Sequence, residues 1–209
     1  MRGSIPINLA VEDPLSEAVL LKILDQSGRP YEVGNCHKKD GFGYLRKTIG
    51  GFNSAAKGTP FLVLTDLDRY ECPVALIQEW LTVPKHHNLL FRVAVREVES
   101  WLLADRTGFA KFLGIRESLV PHDADTIPDP KQYLINLVRK SRKRDLLSDI
   151  VPLPKSTATQ GRNYNGPLIS FVQRSWDLLA AMNHSPSLSR TVDAVAQFQP
   201  LRYGYGVTH

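Results

Sequence analysis

Residues 61–68 read FLVLTDLD. Phe61 to Leu64 are apolar without alternation, and the run is too short for an ordinary helix. A strand that is apolar on both faces must be covered on both faces, which is how an inner strand of a parallel sheet reads. The run then ends in two aspartates, Asp66 and Asp68. Carboxylates this close repel, and one of them keeps its proton unless a cation lies between them. The stretch therefore predicts a doubly covered strand whose carboxyl end demands positive charge.

The rest of the first half supplies partners for such a strand. IPINLAV (5–11) is β-rich and stops at Glu12. Asp13 suits an N-cap and Pro14 the first helical position, with Leu20, Leu21, Ile23 and Leu24 as the apolar face and Gly28 as the stop. PYEVGN (30–35) reads as a weaker strand. Residues 36–60, with HKK at 37–39 and GFG at 41–43, read as loop and broken helix, without P-loop or GxGxxG spacing. CPVALIQEWL (72–81) predicts a helix with Val74, Ile77, Trp80 and Leu81 inward. NLLFRVAV (88–95) predicts a strand running into one helix, REVESWLLADRTGFAKFLG, with Val98, Trp101, Leu102 and Leu103 inward. Strands alternating with helices predict an α/β fold, a parallel sheet flanked by helices.

After residue 114 the pattern changes. VPHDADTIPDP (120–130) reads as a linker, 131–150 as one helix, and 152–167 as a loop. Two further helices follow, with Phe171, Trp176, Leu178 and Leu179, then Leu188, Val192 and Val195, inward. The expected organisation is an α/β domain over 1–114 with a mainly helical C-terminal extension, 115–209, packed on it.

Composition bounds the class. Of 209 residues, 43% are hydrophobic and 22% charged, the balance of a soluble globular protein. No apolar stretch has the length of a membrane span and no secretory signal is evident, so no membrane partner is expected. Two cysteines, Cys36 and Cys72, make no disulfide framework; both read as buried or half-buried free thiols, and the expected location is cytoplasmic. The formal charge of +5 favours nucleic acid as a partner. RKSRKR at 139–144 concentrates that charge: Arg139, Lys140, Arg142, Lys143 and Arg144 read both as a solvated helix end and as contacts to a phosphate backbone.

The acids fall in order. Glu12 follows the first strand, Asp66 and Asp68 the third, and Glu97 and Glu99 the fourth. Taken singly, each has an ordinary explanation as a cap or a helix start. Taken together, they crowd the carboxyl edge of a parallel sheet, where ligands bind. A hard divalent cation, Mg²⁺ or Mn²⁺, relieves that crowding: such ions take oxygen ligands, and residues i and i+2 of a DxD point the same way. No soft Cys/His cluster suggests zinc.

These residues carry a resemblance. A strand ending in Glu, then a helix, then a strand ending in DxD is similar to the TOPRIM domain of topoisomerases, bacterial primases and overcoming-lysogenisation-defect (OLD) nucleases. FRVAVREVESWLLAD resembles small bacterial TOPRIM-like proteins in which a strand meets a Glu-x-Trp-Leu-Leu-Ala-Asp helix; Glu99, Trp101 and Asp105 occupy those positions. Asp13 stands where the family glutamate is usually followed by glycine. The resemblance implies a metal-dependent nuclease, an endonuclease of TOPRIM type. Glu12, Asp66 and Asp68 would hold metal, with Glu97 and Glu99 serving a second ion, and Glu12, Asp66, Asp68 and Glu99 would be catalytic. Arg69, Lys155 and Arg162 are candidates for the charge that meets the transition state. It further implies DNA ahead of RNA as substrate, an ATPase protein partner and a role in anti-phage defence; a homo-oligomer is compatible with it. Rival readings are a non-catalytic subunit that binds nucleic acid or the ATPase, a DxD nucleotide-sugar transferase, which leaves Glu12 unexplained, and a dehalogenase-like phosphatase, whose motif does not continue past Asp68.

Overall fold

A computed structural model describes residues 3–38 and 43–201. Lys39, Gly41 and Phe42, parts of the HKK and GFG stretches, lie outside the described residues. Four strands, β1 (Ile5–Val11), β2 (Tyr31–Lys38), β3 (Phe61–Asp66) and β4 (Leu89–Ala94), form one sheet in the order β2-β1-β3-β4, all parallel. The chain moves outward from β1 to β2, then returns across β1 to β3 and β4. The strand order reverses between β1 and β3, and a crevice opens at such a switch point in α/β sheets.

Helices cover both faces. Phe61 and Val63 of β3 face one core with Leu45, Ile49 and Phe52 of α2 (Tyr44–Ala55) and Leu76 of α3 (Pro73–Trp80). Leu62 and Leu64 face the other, with α1 (Pro14–Gln26), α4 (Val98–Ala104) and α5 (Arg106–Leu113). That larger core also takes residues from α6 (Pro130–Val138), α7 (Arg144–Ile150), α8 (Asn165–Arg174), α9 (Leu178–Met182) and α10 (Pro186–Gln197). No helix among the described residues is long and apolar enough to cross a membrane.

Several expectations need correction. The stretch 36–60 is more regular than its glycines suggest: β2 runs on to Lys38 and α2 is a 12-residue helix. Its glycines Gly50 and Gly51 are both exposed, while Leu45, Ile49 and Phe52 supply enough buried surface to offset their low propensity. Leu21 (42% exposed), Val74 (60%) and Leu179 (73%) face solvent, each within two residues of a buried leucine, Leu20, Leu76 or Leu178. One residue turns a helical side chain by about 100°, so a neighbour of a core residue need not be core. Cys72 is exposed at the start of α3, whereas Cys36 is half-buried.

Three helices read as continuous are broken, each for a local reason. Residues 139–143 separate α6 from α7, because Ser141 is buried and its hydroxyl donates to Leu113 O (2.5 Å). α8 and α9 part at residues 175–177, where Trp176 turns in and its indole N–H donates to Trp101 O (3.2 Å). Asp105 divides α4 from α5. Its Oδ1 accepts from Gly108 N (2.9 Å), capping α5, and its Oδ2 accepts from Asp177 N (2.9 Å). A Cβ at residue 108 would overlap the Asp105 carboxylate, 2.0 Å from Oδ2, so glycine is required there. Asp105→Ala removes both acceptors from a site only 2% exposed. The expected loss is about 3 kcal/mol, read as a lower urea midpoint with unchanged slope.

Candidate active site

Because the sheet is parallel, the ends of β1, β3 and β4 share one edge. Glu12 directly follows β1, Asp66 is the last residue of β3, and Glu97 stands just before α4, which is separated from β4 by three residues and carries Glu99 in its first turn. The sequence order of the acids thus becomes adjacency across three neighbouring strands at the switch point.

Four of the acids are each oriented by a donor. Thr65, the penultimate residue of β3, donates its hydroxyl to Glu12 Oε1 (2.5 Å). Asp66 Oδ1 accepts from Val98 N (2.9 Å), so the β3 acid holds the first turn of α4. Glu97 Oε2 accepts from Lys131 N (2.9 Å), at the start of α6. Glu99 is buried, and its Oε1 accepts the Tyr164 hydroxyl (2.9 Å). Asp68 is held by its backbone at φ 49°, a conformation Asp tolerates better than most residues. The Arg96 guanidinium donates to Asp68 O (3.2 Å) and Tyr70 O (2.7 Å), fixing this turn. Asp13 is extended (φ −147°) and caps α1 through Leu15 N and Ser16 N, so no glycine geometry is demanded after Glu12.

The cluster is electrostatically uncomfortable. Burial pushes the Asp66 carboxyl well above its ordinary range, and the charges of Glu99, Glu12, Asp13 and Glu97 push the same way. Glu99 is raised to about 7, chiefly by burial, against the pull of Lys131. Burial likewise raises Glu12, opposed by its Thr65 hydrogen bond, and raises Asp68 and Glu97. The positive group in their midst is Lys131, whose ammonium lies 3.8 Å from Glu99 Oε1 and 5.3 Å from the Tyr164 ring centre. Burial lowers the Lys131 pKa, but Glu99, Glu97, Asp66 and Asp13 outweigh it and the net shift is upward.

Lys131 and Tyr164 were not found by sequence reasoning. Both come from the C-terminal half, 32 and 65 residues beyond Glu99, and no spacing rule links such positions. Tyr164 is the one aromatic residue in the stretch 152–167, which the sequence reads as loop. Of the cations considered for meeting transition-state charge, Arg69 does stand near the acids, acting on Asp68, whereas Lys155 and Arg162 belong to the loop between α7 and α8. The five cations at 139–144 are exposed. From Lys131 to Arg139 is eight residues of α6, about 12 Å along the axis, so the run begins one helix length from the acids. Within it, Lys143 is used internally, donating to Phe112 O (2.6 Å) at the end of α5.

A cleft of about 770 Å³ opens beside the acids, lined by Asp68 and Glu97 together with Arg69, Tyr70, Arg96 and Asp129. The donor set suits a hard divalent ion. The candidate donor atoms are carboxylate oxygens, and Asp66 Oδ2 and Glu97 Oε1 take no hydrogen bond from the described residues. Among the described residues no three His, Cys, Asp or Glu side chains are arranged to enclose a metal ion. Mg²⁺ does not require three, since it retains several waters and takes one or two carboxylates.

Tyr164→Phe tests the hydrogen bond at Glu99. Loss of a donor to a buried carboxylate is expected to cost about 1–2 kcal/mol at pH 8 and less at pH 5, where Glu99 is protonated in the folded state. Urea denaturation at the two pH values measures it; an equal cost at both would detach Tyr164 from the ionised form.

No family model, curated protein or solved structure matches the chain.

Proposed function

We propose that the protein is a nuclease of TOPRIM type, hydrolysing phosphodiester bonds with Mg²⁺ or Mn²⁺. One observation supports this above the others: Glu12, Asp66, Glu97 and Glu99 converge at the carboxyl edge of three adjacent parallel strands, each oriented by its own donor. Caps and helix starts serving separate elements need not lie close enough to act on one another, as Glu99, Glu12 and Glu97 act on the buried Asp66. A divalent ion at this edge would polarise the scissile phosphate and make bound water acidic. One or two of the carboxylates of Glu12, Asp66 and Asp68, with waters, would hold it. Glu99, poised near neutrality, suits acceptance of a proton from the attacking water. Lys131 would carry the charge that meets the developing negative phosphoryl oxygens. Arg69 and Arg96 line the adjoining cleft and suit the flanking phosphates, and the exposed Lys140 and Arg142 would serve as further phosphate contacts. An ATPase partner and a defence role rest on the resemblance alone.

The test is a cleavage assay with Mg²⁺, Mn²⁺ or EDTA on single- and double-stranded DNA and RNA of matched length. Metal-dependent cutting is expected, greater on DNA. If no substrate is cut in any metal, the reading as a non-catalytic subunit takes its place. A DxD transferase would instead bind a nucleoside diphosphate-sugar in the same cleft, and calorimetry with UDP-glucose separates it.

A further inference from the structure

The chain's surplus positive charge is confined to one stretch. Residues 139–162 hold seven Lys and Arg against two acids, a surplus of five, and the whole chain carries a formal +5. The remaining residues therefore sum to zero, and the monopole that attracts an anionic partner originates here.

The same stretch exposes an apolar floor. Arg139 and Arg144 rim a groove of about 460 Å³ floored by Leu147, Val151 and Leu153 with two prolines. Beyond Leu153 lies a second hollow of about 240 Å³ that reaches Arg162. Leu153 walls both and is 61% exposed.

The loop that shapes the groove is pinned at its base. Gly161 N donates to Ile150 O (2.8 Å), Asn163 N donates to Asp149 O (3.2 Å), and Ser156 N closes a turn on Leu153 O (3.0 Å). A Cβ at Gly161 would lie 2.1 Å from Asp149 O, so glycine is what lets the loop close onto the end of α7. The concavity is thus preformed, which lowers the ordering cost of binding.

We infer that this surface docks an acidic segment of a protein partner, one that sets an apolar side chain beside Leu153 and carboxylates beside Arg139 and Arg144. Nucleic acid fits the surface less well. Residues 139–162 contain no Phe, Tyr or Trp on which a base could stack. A phosphate backbone would use the arginines but gain nothing from leucine and proline between them. A peptide uses both, through ion pairs at the rim and apolar burial at the floor.

The test uses the full chain and two fluorescein-labelled nonapeptides, (Glu-Glu-Leu)₃ and its charge-matched control (Glu-Glu-Ser)₃, with a 20-base-pair DNA duplex alongside. Fluorescence anisotropy is expected to show the leucine peptide binding about tenfold more tightly than the serine peptide. Leu153→Ser, at an exposed position and without a change of charge, should remove that difference while changing duplex affinity less than about twofold. Arg144→Glu should weaken the leucine peptide at least about fivefold. Equal binding of the two peptides, failure of both to bind, or parallel loss of duplex and peptide affinity in Leu153→Ser would overturn the proposal, and the last of these would mark the surface as a nucleic-acid contact.

Discussion

Asp66→Ala is expected to reduce metal-dependent cutting at least about a thousandfold, equivalent to roughly 4 kcal/mol of transition-state stabilisation. Asp66 is the position with most to lose. It ends an inner strand, borders Glu12, Glu97 and Glu99 electrostatically, and secures the α4 amide of Val98. Glu12→Ala should fall almost as far. A fold-loss explanation is separable, because Asp66→Asn keeps an acceptor for Val98 N while removing the charge; it too should be inactive yet fully folded. Single-turnover assays on wild type and the three variants, each first checked by circular dichroism, decide the matter. Wild-type cutting retained by Asp66→Asn would remove this residue from the chemistry.

The second large effect is on stability without metal. Burial raises the Glu99 carboxyl from its ordinary 4.5 to about 7 in the folded chain. Between those limits the native state binds more protons than the unfolded state. Stability is therefore full below about pH 4.5 and declines as pH rises toward 7, by an amount on the order of 3 kcal/mol from this group. Asp66 is raised in the same direction and adds to the decline. Asp66→Asn abolishes its share of that cost. In EDTA at pH 8 its Tm should exceed wild type by about 5 °C, with the advantage gone below pH 4. Saturating Mg²⁺ or Mn²⁺ should narrow the gap by stabilising only the wild type. Scanning calorimetry across pH, with and without metal, measures all three; a less stable Asp66→Asn in EDTA at pH 8 contradicts the electrostatic reading of the cluster.

The word Glu99-x-Trp101-x-x-x-Asp105 shows how unevenly function can be read from a chain. It looks like one motif, yet its residues do three jobs. Glu99 enters the acid cluster on Tyr164, Trp101 is core and donates to Ser187 Oγ (2.7 Å), and Asp105 caps α5 and accepts from Asp177 N. Acid placement was legible because β3 advertises its burial by unbroken apolarity, and a parallel sheet sends all strand ends to one edge. The helix breaks at 105, 139–143 and 175–177 were not legible, because each is set by a side-chain bond to a distant segment that outweighs local propensity.

What the chain determines by itself is its periodicity: which segments are strands, that the sheet is parallel, and hence that Glu12, Asp66, Glu97 and Glu99 share an edge. These follow from covalent order and from the covering that apolar runs require. The counter-charge and the hydrogen-bond donor that complete the cluster, Lys131 and Tyr164, were decided only when helices from the second half packed across the first. Electrostatic partnership falls off over a few ångströms of space but is indifferent to distance along the chain, so it becomes visible only in three dimensions.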